Sequence, residues 1–119
     1  ADSEETLKDA LVVLNADLEV CPLLAVDLEY HRVAYEKGVV VLSLIQISSY
    51  KSDFIIDLFM TRPFIREQTT EGSLIKIFED ESITKILHGC DSDLKLLAAD
   101  LGIVTKNLFD TARVLSFIQ

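Results

Sequence analysis

The chain has no tryptophan and one methionine, and only two prolines, two cysteines, two histidines and four glycines in 119 residues. Cys21 and Cys90 lie far apart, and the polar, acidic opening "ADSEETLKD" does not read as a secretory leader. The two thiols therefore read as reduced rather than as a disulfide. Two histidines, neither at ligand spacing from a cysteine, leave almost no material for a structural zinc site. No apolar run reaches the roughly 18 residues that a membrane-spanning helix needs. Basic residues are also scarce, 11 against 20 acids, for a net charge of −9. That balance argues against binding a polyanion through a simple basic patch. It leaves open an enzyme whose positive charge comes from bound cations. For most of the acids the plain reading is solubility.

What is present is an ordinary globular composition: 50% hydrophobic and 26% charged residues, in a length that fits one domain. The segment "SEETLKDALVVLNA" places Leu7, Ala10, Leu11 and Leu14 on one helical face behind an acid-rich start. "CPLLAVDLE" reads as a short buried strand, 39–47 as a central β-branched strand, and "DFIIDLF" as a third. Short connections between them predict an antiparallel meander. "MTRPFIREQTTEG", punctuated by Pro63 and Gly72, is expected to be a loop. Strand and helix then alternate: helix "SLIKIFED", strand "SITKILH", helix "DSDLKLLAADLG" closed by Gly102, strand "NLF", and helix "DTARVLSFI" capped by Asp110. The expected fold is α/β, with a mixed sheet of three antiparallel strands continuing into strand–helix alternation, flanked by helices. The chain ends in "RVLSFIQ", within an apolar periodic segment, and is expected to be the C-terminally incomplete part of a longer protein. Apolar surface left uncovered on such a piece is expected to favour self-association.

"LLAVDLEYH" runs from apolar residues into two acids. Strand alternation puts Asp27 and Glu29 on one face and Leu28 on the other. Carboxylates spaced by roughly 7 Å along a strand can both reach one cation. Without a cation, like charges brought to about 4 Å repel by about 4 kcal/mol at an effective dielectric of 20. Protonation of one acid or a hard divalent ion relieves that, and oxygen-only ligands suit Mg²⁺ or Mn²⁺. Taken alone, the pair also fits two solvated acids at a frayed strand end. On the second acidic segment, a helical wheel places Asp93 inside the arc of Leu94, Leu97, Ala98 and Leu101. Asp100, seven residues further on, shares that stripe, so the wheel does not choose between them. Asp91, Ser92 and Asp110 read as helix caps, and His88 as a hydrogen-bonded structural residue.

Together "LLAVDLEYH", "VVLSLIQIS", "DFIIDLF" and "SITKILHGCDSDLKLLAADLGIVTKNLFDTARVL" resemble the DEDD 3′–5′ exonuclease superfamily. The similarity points to its RNase D branch, which includes the exoribonuclease associated with the nuclear exosome. It runs in order from about residue 23 to 118, so that 1–119 would be the N-terminal part of one exonuclease domain. The resemblance implies an RNase H-like fold and two-metal hydrolysis of phosphodiester bonds from a 3′ end. The expected substrate is single-stranded RNA rather than DNA, with release of nucleoside monophosphates. It carries the metal-binding and catalytic roles to Asp27, Glu29 and Asp93, with two Mg²⁺ or Mn²⁺ ions in the complete domain. It gives Tyr30 and Leu96 places along a nucleotide pocket. An exosome-type complex as partner and an intracellular, nuclear location are implied by resemblance alone.

One departure matters. The family's third motif, Tyr-x-x-x-Asp or its His version, does not occur in these residues. Tyr30, Tyr35 and Tyr50 are followed four places on by Ala34, Val39 and Phe54, and His31 and His88 by Tyr35 and Ser92. The 119 residues are therefore expected to have little or no activity by themselves. The alternative is a nuclease-fold scaffold that binds partners without catalysis.

Overall fold

The computed structural model describes residues 1–32, 40–89 and 91–118. Val39 and Cys90 lie outside the described residues. Among those described, Cys21 is a free thiol.

The first helix, α1 (Glu4–Val20), starts where Ser3 and Thr6 cap each other: the Ser3 hydroxyl accepts from the Thr6 N–H and the Thr6 hydroxyl from the Ser3 N–H. Its buried stripe is Leu7, Leu14 and Leu18. Strands β1 (Leu23–Arg32), β2 (Val40–Ser48) and β3 (Asp53–Asp57) form the antiparallel meander. A helix α3 (Leu74–Glu79), strand β4 (Thr84–Leu87), helix α4 (Asp91–Leu96) running into a π-helical turn (Leu97–Leu101), strand β5 (Leu108–Asp110) and a final helix (Thr111–Ile118) complete the alternating part. The sheet order is β3-β2-β1-β4-β5, with β4 parallel to β1 and β5 parallel to β4. This is the mixed sheet that the element order predicts, and β1 is its central strand.

The stretch expected to be a loop contains a helix instead, α2 (Leu58–Glu67), which precedes α3. The final helix is accordingly α5. Asp57 caps α2, its carboxylate accepting the Phe59 N–H at 2.9 Å, and Leu58, Thr61 and Ile65 bury one face. Pro63 lies inside this helix. A proline removes one backbone donor and crowds the preceding turn. Here burial of an apolar stripe, together with contacts from Arg62 and Arg66 to Asp100, outweighs that cost.

The sheet has two unlike faces. Leu24, Val26, Leu28, Ile45, Ile47, Ile56 and Leu87 are buried in the core on one of them. At typical hydrophobic values each contributes about 1.5–3 kcal/mol. Residues of opposite parity, including Ala25, Asp27, Glu29, Gln46, Ile55 and Phe109, are exposed.

Charged residues also lie on the buried face, Lys85 and Asp110 among those described. Lys85 is fully buried and its ammonium donates to the backbone oxygens of Asp80 at 2.6 Å and Lys106 at 2.9 Å. Burial pushes its pKa down from 10.5 to about 8, opposed by the Asp80 charge. A base with a depressed folded pKa leaves the unfolded chain holding more protons between about 8 and 10.5, so stability rises with pH across that window. The urea midpoint of the wild-type chain is therefore expected to climb relative to that of Lys85→Met between about pH 7.5 and 9.5. Parallel midpoints would show that Lys85 is not the titrating group.

Candidate active site

Strand β1 outlasts its parallel neighbour. It pairs with β4 only from Leu23 to Ala25, but with β2 as far as Arg32. Just past Ala25 the sheet splits: β1 continues along β2, while β4 ends and the chain turns into α4. Asp27 and Glu29 stand at this split, both exposed, with Leu28 buried between them. The alternation expected from the sequence is what the burial pattern shows. Gln46 is the cross-strand neighbour of Asp27 and Leu44 that of Glu29. The Asp27 carboxylate accepts the Leu28 N–H at 3.0 Å, which restrains its side chain close to the strand.

Asp93 lies on α4, in the segment that follows β4. Asp110 ties the β4–α4 turn to the start of α5, its Oδ1 accepting the N–H groups of Gly89 at 3.0 Å and Ala112 at 2.9 Å. That is the capping role expected of Asp110. His88, exposed, shares a 2.7 Å hydrogen bond with the Thr111 hydroxyl, in keeping with its structural reading. Asp91 is the first residue of α4 and pairs with Arg113 at 3.1 Å across this turn. Asp93 is half-buried, and its carboxyl is raised above the usual range, first by burial and then by the Asp27 charge. Two carboxylates from distant parts of the chain thus feel each other.

Asp100, which the wheel does not separate from Asp93, has a different environment. Its side chain is 10% exposed and holds the Arg62 guanidinium in a two-point contact, Nε to Oδ1 at 2.7 Å and Nη2 to Oδ2 at 3.0 Å. It is a structural acid with its own partners. Arg62 and Arg66, both on α2, escape sequence reasoning as partners, because their stretch reads as a loop. Asp57 followed by the spacing of Leu58, Thr61 and Ile65 is the signal that marks that helix.

Tyr30 is half-exposed and, by strand alternation, projects from the face opposite Glu29; Leu96 packs partly against the core. A groove between α1 and the α2–α3 connection, lined by Leu7, Leu11, Val12, Phe64 and Gly72, contains none of the predicted site residues.

The donor chemistry fits a hard divalent cation. All three predicted ligands offer carboxylate oxygens, and the raised Asp93 beside the Asp27 charge is the imbalance that such an ion relieves. Among the described residues no three Asp, Glu, His or Cys side chains are gathered into a ligand set.

A mixed five-stranded sheet flanked by helices, with β1 at its centre, is the RNase H-like α/β fold of known exonuclease domains. A family profile described as 3′–5′ exonuclease matches residues 3–118, and the chain belongs to that family. It is similar to exosome complex component 10 of Homo sapiens, 38% identical over 106 residues, covering 87% of this chain and 11% of the relative. RRP6-like 2 of Arabidopsis thaliana is 36% identical over 113 residues, covering 92% of this chain and 12% of that protein. The chain thus spans roughly a ninth of the length of these curated relatives. Among solved structures, the catalytic core of RRP6 from Trypanosoma brucei superposes with a TM-score of 0.80 at 30% identity, covering 98% of this chain and 29% of that one. The EXD2 exonuclease domain soaked in Mn and Mg gives 0.77 at 26% identity, covering 99% and 57%.

Proposed function

We propose that this chain contributes three of the acids of a divalent-metal-dependent exonuclease that removes nucleotides from the 3′ end of single-stranded RNA. What supports this reading is that Asp27 and Glu29 share the exposed face of β1 where β1 and β4 part, and that the Asp93 carboxyl, raised first by burial, also feels the Asp27 charge. Asp27, Glu29 and Asp93 would hold the two Mg²⁺ or Mn²⁺ ions. A bound divalent ion supplies Lewis-acid stabilisation of charge developing on phosphate and lowers the pKa of water. The protein holds the acids at the mouth of the sheet: the Leu28 N–H restrains Asp27, and the Asp110-anchored turn presents Asp93. By resemblance Leu96 is assigned to the side of the nucleotide pocket and Tyr30 to its rim, since on β1 Tyr30 projects from the face opposite Glu29. The open sheet face leaves room for a strand end, and net negative charge makes the cations necessary for attracting a polyanion.

RNA rather than DNA, an exosome-type complex as partner and a nuclear location are supported by the exosome-component relatives. Among the described residues no helix is long and apolar enough to cross a membrane. Exposed Phe109, Val114 and Leu115 support self-association of the chain. With no Tyr-x-x-x-Asp in its sequence to add a fourth acid, the chain is expected to trim slowly or not at all by itself.

The test incubates 5′-labelled single-stranded RNA and DNA, each with a free or blocked 3′ end, with the chain and Mn²⁺. The expected result is at most slow shortening, confined to free 3′ ends, faster on RNA, and lost in Asp27→Asn. Rapid Asp27-dependent trimming would overturn the need for a fourth acid. Absence of both trimming and Mn²⁺ binding would favour the scaffold alternative.

A further inference from the structure

Two segments of irregular geometry adjoin the residues that carry the carboxylates. One is the β-bulge in β2: Glu29 pairs with Leu44 but Tyr30 pairs with Leu42, so Ser43 is the extra residue opposite the site. The other is the π-helical turn, Leu97–Leu101, that comes after Asp93 within the same helical run. Neither geometry is the relaxed one for its element, so each needs something to hold it.

A single acid reaches both. Besides the two-point contact with Arg62, the Asp100 carboxylate accepts the Leu42 N–H at 3.0 Å, next to the bulge. Arg62 Nη2 in turn donates to the Leu42 carbonyl oxygen, closing a ring of polar contacts between α2, β2 and the π-turn. Arg66 completes it, donating from Nε to the Asp100 backbone oxygen at 2.6 Å and from Nη2 to the carboxylate at 3.2 Å. The Arg62 side chain is 18% exposed and that of Asp100 10%, so solvent weakens this contact far less than a surface ion pair. Gly102, at φ 69°, ends the turn in the left-handed conformation, and its N–H reaches the oxygens of Leu97 and Ala98.

Helix geometry gives this clasp its consequence. In a continuous α-helix, residues seven apart point almost the same way. Asp93 and Asp100 would then face one direction, as the helical wheel indicates. A π-turn takes up an extra residue, which rotates the segment before it by up to about 100° relative to the segment after it. Asp100 can therefore face α2 and β2 while Asp93, seven residues earlier, points another way and feels the Asp27 charge.

We propose that Asp100, clasped by Arg62 and Arg66, is a positioning residue: it fixes the π-turn and the β2 bulge together and so sets Asp93 and Glu29 relative to Asp27. This rests on the reading of Asp27, Glu29 and Asp93 as metal ligands. Asp100 touches none of the proposed ligands, and its effect passes through backbone geometry.

The test measures Mn²⁺ affinity of the folded chain by electron paramagnetic resonance, and metal-free amide spectra by NMR, for wild type, Asp100→Asn and Arg62→Lys. Arg62→Lys keeps the charge but cannot make the planar two-point contact. Both variants are expected to bind Mn²⁺ about tenfold more weakly, the lower end of the effect of removing a residue that orients metal ligands. Their amide shifts are expected to change at 27–29 as well as beside residue 100. Unchanged Mn²⁺ affinity in two folded variants, or shift changes confined to the neighbours of Asp100, would overturn the proposal. If the wild-type chain binds no Mn²⁺, the metal reading fails separately, and the shifts at 27–29 still decide whether the clasp positions that strand. Should Asp100→Asn not fold, Arg62→Lys carries both measurements.

Discussion

Asn in place of Asp27 is expected to abolish the stabilisation that Mn²⁺ gives this chain. An ion present at about 100 times its dissociation constant stabilises a folded protein by about 2.7 kcal/mol. For a domain of this size that corresponds to a rise of about 10 °C in the thermal midpoint, since 1 kcal/mol moves it by about 4 °C. Asp27→Asn should show almost none of that rise. Asp93→Asn should lose it too, but with an opposite effect in the absence of metal. The Asp93 carboxyl is raised by burial and by the Asp27 charge, so its ionised form destabilises the metal-free fold. For an acid raised on folding, the destabilisation is absent below the unfolded value of 3.8 and complete above the folded one. Metal-free Asp93→Asn should therefore be more stable than wild type at neutral pH, and the gain should vanish as pH falls through the acid range. Calorimetric scans with and without Mn²⁺ check both signs. An Mn²⁺-induced rise in Asp27→Asn equal to that of wild type would remove Asp27 from the site.

Phe78→Ala is expected to cost about 3–5 kcal/mol, the range for truncating a large buried aromatic. Phe78 is fully buried on α3 among the core residues, and its backbone oxygen accepts the Lys106 N–H at 2.9 Å in the approach to β5. The cavity would open where α3 and the parallel strands share one core, with little freedom to collapse. A domain of about 5–15 kcal/mol total stability has little reserve against such a loss. Urea denaturation should show a lower midpoint with an unchanged slope, and a loss under about 1 kcal/mol would mean that α3 packs more loosely than its burial indicates.

Much of this architecture is written locally. Ser3 and Thr6 cap α1 from within four residues, and Asp110 caps the segment that begins at the next position. The alternation Leu24, Ala25, Val26, Asp27, Leu28, Glu29 specifies by itself which face of β1 is buried and that both acids share the other. The order of strand and helix patterns likewise points to a sheet that is antiparallel on one side and parallel on the other. Resemblance of the "HGCDSDLKLLAADLG" block to a nuclease family selects Asp93, which periodicity leaves level with Asp100.

Long-range contacts decided the rest. Helix α2 is hidden because Pro63 and Gly72 are strong local signs of a loop, while what holds the helix is burial and arginines reaching Asp100, 34 and 38 positions away. The same distance effect conceals the π-turn. A wheel assumes one rotation per residue, and no neighbour of Asp100 announces that a backbone N–H 58 positions earlier will draw it toward β2. The sequence alone determined that Asp27 and Glu29 share a face, because alternation depends only on adjacent residues. Only the tertiary structure decided that Asp100 faces Arg62, Arg66 and the Leu42 N–H, because that depends on contacts between segments remote in the chain.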